Sequence, residues 1–567
     1  MGRKHGLASS LNNRFSVAGF FIRTMWSRAM IMAIPLRLRL SGLSNRVPSG
    51  LVAAPTDLRA VDPYVAQELV LGRIALAGRV LETGGLSPFK MEMPSSAFEE
   101  RLHVFGWLRH VRASRSDDAY NVARMLVNDW IGLYGRTPKG LAWLPDTAAQ
   151  RLISWLSHSP VVLQKADSGF YRRFLRCINL HVRYLRLVAK YAPDGEVRLK
   201  VRIALAMASI SMPNRASKIS RCGAQLDREV ERQIFPDGGH VSRNPRVILE
   251  LLLDLLPLRQ SYINLGHDVP PGLVPAIDRM FPAIRFFRHQ DGDLALFNGA
   301  TATLANELAS VLRYDETAGR PSRGLPDIAY HRLSVNDTVI IIDTGAPQSI
   351  ELSRTAHCGC LSFELSSGRY RFIVNSGFPQ YATADFKAAS RSTAAHSTVT
   401  VGDRSSSRIS KSRLMGPICI SAARITQVER HTDQKGADVI SACHAGYLDR
   451  FGYLHHRELE LNASGSKIRG RDWLTAGGKN TTLRQVDAIS RFHIHPLIEL
   501  FQENEETVIL RAPDATTWAF TVPGRKVSIE EDVFMADASG IRPSRQMEIA
   551  FSLPETSEIR WLLERRL

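Results

Sequence analysis

The sequence predicts an α+β protein of more than one domain, in which a helical domain precedes an antiparallel β-domain. Between about residues 62 and 290, apolar residues recur every three or four positions, as they do on the buried face of a helix. Beyond about residue 330 the apolar period becomes two, in short runs that turn residues separate. A chain of 567 residues, 44% of them hydrophobic, is long enough for two or three packed domains.

The helical part is predicted to contain eight to ten helices with short connections. Residues 46–62 form a linker rich in Pro, Ser and Gly, and Asp62-Pro63 is typical of an N-cap followed by the first helical residue. The longest apolar stripe consists of Phe170, Phe174, Ile178, His181, Leu185 and Val188. The absence of a fixed sequence period argues against a standard repeat family and leaves a toroid of helix hairpins or a solenoid.

The β-domain is predicted from at least ten short strands in the last 240 residues. Val339–Asp343 is an apolar run typical of a buried strand, and Ser366-Ser-Gly368 marks a hairpin between Leu361–Leu365 and Tyr370–Asn375. Strands also follow at Ser397–Val401, His455–Leu461, Arg491–His495, Thr507–Leu510, Trp518–Val522 and Gln546–Phe551. This number of short strands predicts an antiparallel β-sandwich.

The chain is strongly basic, with 13 Lys, 60 Arg and a formal net charge of +18. Because arginine pairs with carboxylates, sulfates and phosphates, the excess favours an acidic polymer as partner. The even spread of arginine along the chain fits a general compositional bias equally well.

The N-terminal segment differs from the rest. Residues 1–45 contain no acid and a short apolar island at residues 30–35. We predict that residues 1–60 are poorly ordered and that residues 1–45 stay outside the core. No run of 18 apolar residues occurs, so we predict no transmembrane segment, and a standard signal peptide fits poorly.

The six cysteines are scattered and form no CxxC pair, which excludes a zinc ribbon. We predict that most of them are small buried residues.

The most informative stretch runs from Ile234 to Pro245 and joins two predicted helices. Asp237-Gly238-Gly239 has turn chemistry, and Asn244-Pro245 predicts an N-cap and the start of a helix. The turn therefore delivers His240, Ser242 and Arg243 to a helix N-terminus, where carboxylates bind well. The alternative is an ordinary polar turn.

This stretch resembles the Asp-Gly-Gly-His segment of the heparinase II/III family of polysaccharide lyases. Asn375-Ser-Gly377, followed by Arg391-Ser-Thr-Ala-Ala-His396-Ser-Thr, is similar to the family segment that ends in His-Asn-Thr, with Ser397 in place of Asn. The resemblance covers roughly residues 60–560. It implies an incomplete α/α toroid over residues 61–315 and a β-sandwich over residues 325–562.

The family chemistry is β-elimination on a uronate, which needs a carboxylate neutraliser, a base for the C5 proton and an acid for the leaving oxygen. The position of the family tyrosine holds Val247 here. The resemblance therefore implies His240 and His396 as base and acid across a cleft, with Tyr262 or Tyr184 as substitutes for the tyrosine.

Four further residues are candidates for substrate binding. His181 falls near the family Asn-His pair, with Leu180 in the Asn position, although a core histidine explains it as well. Arg243 and Asn244 lie at the predicted helix N-terminus, and Arg288 lies in a later loop. Local ion pairing, capping and a rim position are their structural alternatives.

Some family members hold zinc in the β-domain, and His396, Asp403 and His455 are the residues of suitable type here. We therefore expect no required cofactor and consider a structural zinc. The expected partner is an acidic polysaccharide such as a glycosaminoglycan or alginate, and no nucleic-acid-binding motif occurs.

Three readings of function remain open from the sequence. The first is a lyase of the cell envelope or periplasm, with the cytoplasm as the alternative location. The second is a non-catalytic glycan-binding protein or a glycoside hydrolase on the same fold, although a hydrolase needs two facing carboxylates. The third is a basic protein that binds nucleic acid or a membrane surface.

Overall fold

A computed structural model describes residues 2–40, 47–317, 319–478 and 481–566. The helices are α1 Gly2–Leu40, α2 Pro63–Val70, α3 Ser96–Val104, α4 Leu108–Ser114, α5 Asp117–Tyr134, α6 Pro145–Ser157, α7 Ser159–Leu163, α8 Ser168–Val188, α9 Glu196–Ser211, α10 Ala216–Gln233, α11 Pro245–Asn264, α12 Leu273–Phe287, α13 Ala305–Leu312, α14 Ala384–Ala389 and α15 Leu448–Phe451. Helices α2–α13 form the predicted toroid around one large apolar core. A small hairpin, which the sequence reading missed, interrupts them at residues 73–82.

The strands are β1 Arg73–Leu76, β2 Arg79–Glu82, β3 Gly324–Leu325, β4 Tyr330–Val335, β5 Thr338–Asp343, β6 Phe363–Ser367, β7 Tyr370–Val374, β8 Val399–Val401, β9 Arg408–Ile409, β10 Cys419–Ser421, β11 Ile425–Thr432, β12 Asp438–His444, β13 Tyr453–Leu461, β14 Lys467–Ala476, β15 Val486–Ile494, β16 Glu499–Asn504, β17 Thr507–Arg511, β18 Thr517–Thr521, β19 Ser528–Asp537, β20 Gly540–Leu553 and β21 Glu558–Arg566. The predicted helix-then-strand order is confirmed.

Two antiparallel sheets form the sandwich. One has the order β11-β12-β13-β14-β21-β18-β17-β16, and the other has the order β19-β20-β15-β7-β6-β5-β4-β3, with β8 paired to β15. Their facing apolar side chains make a second core that is separate from the toroid core.

Strand β5 shows how the two domains share one sheet. Its residues are buried on both faces, as the apolar run predicts. Val339 and Ile341 join the core of the toroid, whereas Ile340 and Ile342 join the core of the sandwich. Because alternate residues of a strand point to opposite faces, the second sheet is a wall between the two cores.

The N-terminal segment departs from the prediction. Gly2–Leu40 is a single helix, α1, which packs against α8 and β10. Ile34 and Leu38 belong to the toroid core, so the prediction that residues 1–45 stay outside the core is wrong. The sequence reading missed them because only one narrow stripe of this helix is buried.

Helix α1 also bears on the prediction that no segment could cross a membrane. Residues 16–40 are long and apolar enough by length and composition to do so, although an N-terminal signal sequence passes the same test. The uninterrupted-run criterion missed this segment because arginines punctuate it.

Candidate functional site

The Asp-Gly-Gly turn lies between the toroid and the first strands of the sandwich. Asp237 accepts backbone hydrogen bonds from Asp327 and Ile328, and its own N–H donates to the Asp327 carboxylate. A Cβ on Gly238 would lie 1.8 Å from the carbonyl oxygen of Arg279, and one on Gly239 would lie 2.5 Å from Ile328. Gly238 therefore allows the turn to pack closely on α12 of the toroid, and Gly239 allows it to pack on Ile328 at the start of the sandwich.

Arg243 extends this contact. Its guanidinium donates to the carboxylate of Asp343 and to the carbonyl of Ile328, and it lies 4.7 Å from the centre of the Tyr330 ring. Arg243 is only 3% exposed and Asp343 is equally buried. The predicted substrate-binding arginine therefore forms a buried ion pair across the domain boundary, which commits its charge to the fold.

His240 is fully buried, and both of its ring nitrogens are bonded. Nδ1 accepts the backbone N–H of Ser242 at 3.1 Å, so Nε2 carries the proton and donates to Oε1 of Gln233 at 3.0 Å. Burial lowers the pKa of His240 to about 4, so the ring is neutral near pH 7. No nitrogen of this ring is left for a substrate proton.

His396 lies in the sandwich and contacts a second histidine that the sequence reading did not select. Nε2 of His396 lies 3.1 Å from Nδ1 of His357, and Nδ1 of His396 lies 2.7 Å from the carbonyl oxygen of Ser392. Burial is the main cause that lowers the pKa of both rings, to about 4 for His396 and well below the usual value for His357. Both imidazoles are therefore neutral near pH 7.

The hydrogen bonds fix the tautomers of this pair. A carbonyl oxygen only accepts, so the proton of His396 is on Nδ1 and its Nε2 must accept. His357 consequently donates from Nδ1 to His396. The Nε2 of His357 then holds a lone pair, and this buried atom has no hydrogen-bond partner among the described residues. The pair thus presents one unprotonated nitrogen, which is what a general base requires.

Arg391 is a buried cation beside His357. It is 8% exposed, donates to the carbonyl of Pro417 at 2.8 Å and forms no ion pair with a described carboxylate. Its guanidinium lies 5.7 Å from the centre of the Phe378 ring, and that ring lies 6.1 Å from the ring of His357. Burial lowers the pKa of Arg391 to about 10, which still leaves it charged at neutral pH.

Neighbouring groups hold the histidine pair in place. The backbone N–H of His357 donates to Asn298, whose amide in turn donates to Asp343 and to the Tyr330 hydroxyl. A Cβ on Gly359 would lie 2.5 Å from the His396 ring, so only glycine allows this packing. The buried ion pair at the domain boundary and the histidine pair are thus parts of one network.

Arg457 supports the same pair from the other side. Its guanidinium makes a bidentate contact with Asp472, at 2.7 and 2.9 Å, and donates to the carbonyls of Leu361 and Ser397. These carbonyls lie just after His357 and His396 in the chain. One buried arginine therefore fixes both segments that carry the histidines.

The toroid faces this region with helix α3. Arg101 lies 5.7 Å from the centre of the Tyr381 ring, which belongs to the loop before α14. Burial and the neighbouring Asp146 raise the pKa of Glu100, which also interacts with Lys387 of α14. Charged toroid side chains therefore face the segment that leads to Arg391.

The other predicted binding residues do not join this group. Tyr262 is 1% exposed inside α11, where burial raises the pKa of its hydroxyl to about 12. His181 is buried, accepts from Arg151 and stacks on Trp143, so the core alternative describes it. Arg288 is exposed at the end of α12.

Two positions at the start of α11 have structural roles. Asn244 caps the helix by accepting the N–H of Arg246 at 2.9 Å. Val247, in the position of the family tyrosine, is 3% exposed and belongs to the toroid core. The structure therefore offers no hydroxyl at that position.

The three predicted metal ligands are not brought together. Both nitrogens of His396 are bonded, Asp403 is exposed in a turn, and His455 lies between His444 and Asp472 at 3.1 Å from each. Among the described residues, no three His, Cys, Asp or Glu side chains form a group that could hold a metal ion. The donor set does not fit the zinc that the resemblance suggested.

His357 and Arg391 are the residues that the sequence reading missed in these roles. Arg391 opens the family-like segment that ends at His396, which was a usable signal. His357 comes directly before Cys358, and no motif that the sequence analysis selected includes it. Nothing in the local pattern indicates that His357 folds back onto His396, 39 residues later.

The β-domain matches a known family model, and the whole fold resembles solved structures. Residues 317–562 match the family model described as heparinase II/III-like, C-terminal. A crystal structure of heparinase III has a TM-score of 0.70 at 14% identity and covers 89% of this chain and 84% of its own. Heparan sulfate lyase HepC from Pedobacter heparinus, as a mutant, has a TM-score of 0.59 at 14% identity and covers 99% and 90%.

Another protein is more similar in sequence. FtsZ-localized protein C of Caulobacter vibrioides is 29% identical over 484 residues, which are 83% of this chain and 82% of that protein. The match therefore extends over both domains.

Proposed function

Because residues 317–562 match the heparinase II/III-like C-terminal family model and the fold resembles that of heparinase III, we propose that the chain cleaves a uronate-containing polysaccharide by β-elimination at the boundary of toroid and sandwich. The observation that carries the proposal is the unpartnered Nε2 of His357 beside the unpaired cation of Arg391. A base and a carboxylate neutraliser are the two groups that removal of a C5 proton needs.

The roles follow from the hydrogen bonds. Arg391 binds the uronate carboxylate and stabilises the negative charge that develops when the C5 proton leaves. Nε2 of His357 takes that proton, and the bond between C4 and its leaving oxygen breaks. The resulting imidazolium returns the proton to the leaving oxygen, so a single histidine serves as base and acid in a syn elimination. His396 keeps Nδ1 of His357 protonated and thereby orients the base.

This proposal changes the assignment made from sequence. His240 bonds through both nitrogens, whereas the buried Nε2 of His357 holds a lone pair without a hydrogen-bond partner among the described residues. His396 keeps a place at the site as the residue that positions His357. Tyr262 has no role in it.

A non-catalytic glycan-binding function is the second candidate. The observation that favours it is Val247, which replaces the family tyrosine with a buried apolar side chain. In that case Arg391 would bind a carboxylate and no bond would break.

The experiment is incubation of the purified protein with a panel of uronate polysaccharides, including heparan sulfate, hyaluronan and alginate. The product of elimination is unsaturated, and its ultraviolet absorbance is the readout. We expect absorbance to rise with at least one polymer, and Arg391→Gln to lower kcat/KM by about 100- to 1,000-fold. Arg391→Lys, which keeps the charge, is the matched control and should retain more activity.

Absence of product with every polymer, together with binding that Arg391→Gln abolishes, would favour the glycan-binding function instead.

The name of the Caulobacter relative bears on where this chain acts in the cell. We infer that this chain acts on a cell-envelope glycan near the division site, and a fluorescent fusion that stays evenly distributed in dividing cells would contradict this.

A further inference from the structure

Helix α1 exposes an apolar face that neither domain covers. Five large side chains are more than 60% exposed along its outer side: Ile22 67%, Trp26 64%, Met32 73%, Leu36 61% and Leu40 74%. Scattered exposed apolar residues need no explanation, but a contiguous row of this size marks an interaction surface.

The spacing shows that four of these five side chains belong to one stripe, and that Met32 lies about 80° to its side. Positions 22, 26, 29, 33, 36 and 40 follow the helical spacing of three and four residues, and all six are apolar. At roughly 100° per residue, positions 20 and 38 lie about 160° from the middle of this stripe and position 34 about 120° from it, and they are the buried Phe20, Leu38 and Ile34. The helix therefore has two apolar faces, one towards the protein and one towards its surroundings.

Arginines flank the outer stripe on both sides. On the same helical wheel, Arg23 and Arg37 lie on one side of the outer stripe, and Arg28 and Arg39 lie on the other. Helix α1 contains no acidic residue. The neighbouring α8 carries five arginines and no acid within Ser168–Val188. This face of the protein is thus apolar at its centre and basic at its margins.

We propose that the outer face of α1 docks on an anionic lipid bilayer, with the helix lying in the plane of the interface. An apolar stripe flanked by arginines matches a surface that offers acyl chains below and negative headgroups beside them. The helix lies on the bilayer and does not cross it, because its inner face belongs to the protein. Phe20 is within 5.9 Å of the guanidinium of Arg354, and Arg23 pairs with Glu351.

The test is co-sedimentation of the full chain with vesicles. Vesicles of phosphatidylglycerol and phosphatidylethanolamine should bind the protein, and vesicles of phosphatidylcholine should bind it far more weakly. Trp26→Glu combined with Leu36→Glu should weaken binding by about 100-fold or more, because two anchors become charges of the wrong sign. Met125→Glu combined with Leu133→Glu on α5 is the matched control, since both residues are about half exposed.

Trp26 provides a second measurement that does not depend on the glutamate variants. Of the eight tryptophans, it is the exposed one among the described residues. Its emission should shift to shorter wavelength when anionic vesicles are added, and Trp26→Phe should remove the shift and keep the binding. The triple variant Arg28→Gln, Arg37→Gln and Arg39→Gln removes three arginines from the margins of the stripe and should weaken vesicle binding by about fivefold per charge.

Three results would overturn the proposal. Equal binding of the double glutamate variant and its control would show that another surface docks. Equal binding to neutral and anionic vesicles would remove the role of the arginines. A concentration-dependent dimer that the double glutamate variant abolishes, without vesicle binding, would assign the face to a second copy of the chain.

Discussion

The Asp237–Arg243 turn and the His357–His396 pair differ in what they leave unbonded. In the turn, the polar side chains that look functional are bonded within the protein: Asp237 to three backbone N–H groups, His240 through both nitrogens, and Arg243 to Asp343. In the pair, one ring nitrogen has no partner. Asp237 and Arg243 of the turn bond across the domain boundary, whereas the histidine pair leaves one buried ring nitrogen without a hydrogen-bond partner among the described residues.

This difference shows that the segment most similar to the family need not be the segment that supplies the reactive groups. The turn carries the strongest resemblance to the lyase family, yet its geometry is that of an interdomain joint. The pair carries little recognisable motif, yet it has a neutral base, an orienting partner and a nearby cation. A resemblance therefore locates the domain boundary more reliably than it locates the base.

The largest expected effect separates the two histidines directly. His357→Asn keeps a donor towards His396 and removes Nε2, so we expect eliminase activity to fall by about 100- to 10,000-fold. His240→Asn keeps an acceptor for the Ser242 N–H and is expected to retain kcat within a few-fold. Initial rates of absorbance increase give both values. Loss of activity in His240→Asn alone would return the base to the turn.

The next effect concerns the ion pair of the turn. Arg243→Met leaves the Asp343 carboxylate buried without its cation, which should lower the free energy of unfolding by about 3–5 kcal/mol. The double variant Arg243→Met/Asp343→Asn removes the charge as well and should recover part of this loss. Denaturant unfolding followed by circular dichroism measures both. An unchanged midpoint in the single variant would mean that the pair does not stabilise the boundary.

The architecture could be predicted from the sequence because it depends on the local periodicity of apolar residues. The apolar spacing of α8 and the apolar run of β5 each indicate one type of element, and both elements formed. Strands such as β11 were not predicted because most of their side chains are exposed, so the sequence shows no alternation of apolar and polar residues there. The packing of helix α1 was not predicted because the segment is basic and lacks a long continuous apolar face, so the sequence indicated little surface to bury.

The site was less predictable because it depends on contacts that no local pattern records. The neutral state of His357 requires burial, and its free nitrogen depends on a hydrogen bond to His396 and on the Ser392 carbonyl. His240 looked more favourable because it stands beside a turn and outside any apolar stripe. In the structure the ring is buried and bonds to Gln233 and Ser242 of the toroid.

A smaller effect comes from two glycines, one in each region. Gly238→Ala places a methyl group 1.8 Å from the backbone carbonyl of Arg279 at a residue with φ of +81°, so the contact of the turn with α12 must open. We expect a loss of about 1–3 kcal/mol in stability with kcat nearly unchanged. Gly359→Ala forces the His396 ring to move, and we expect it to lower kcat more than stability. If both variants lose activity in proportion to stability, the regions are not separate in function.

The smallest effect is a dependence of stability on pH to which each region contributes one histidine. The folded-state pKa is about 4 for His240 and for His396, because burial disfavours the charged ring, whereas the unfolded value is about 6.5. Above pH 6.5 both states are neutral and neither ring affects stability. Between about pH 6.5 and 4 the unfolded chain takes up a proton that the folded protein does not. Stability therefore falls as pH falls, by about 1.4 kcal/mol per pH unit for each ring.

Replacing either histidine by asparagine should flatten this slope by the same amount, even though only one of the two regions is proposed to act on substrate. Denaturant midpoints measured at several values between pH 7 and 4.5 provide the comparison. A slope that remains unchanged in His396→Asn would mean that this ring is charged in the folded protein. In that state both of its nitrogens would donate, His357 would have to accept at Nδ1, and its proton would move to Nε2. The proposed base would then be blocked, so this small effect tests the premise on which the largest one depends.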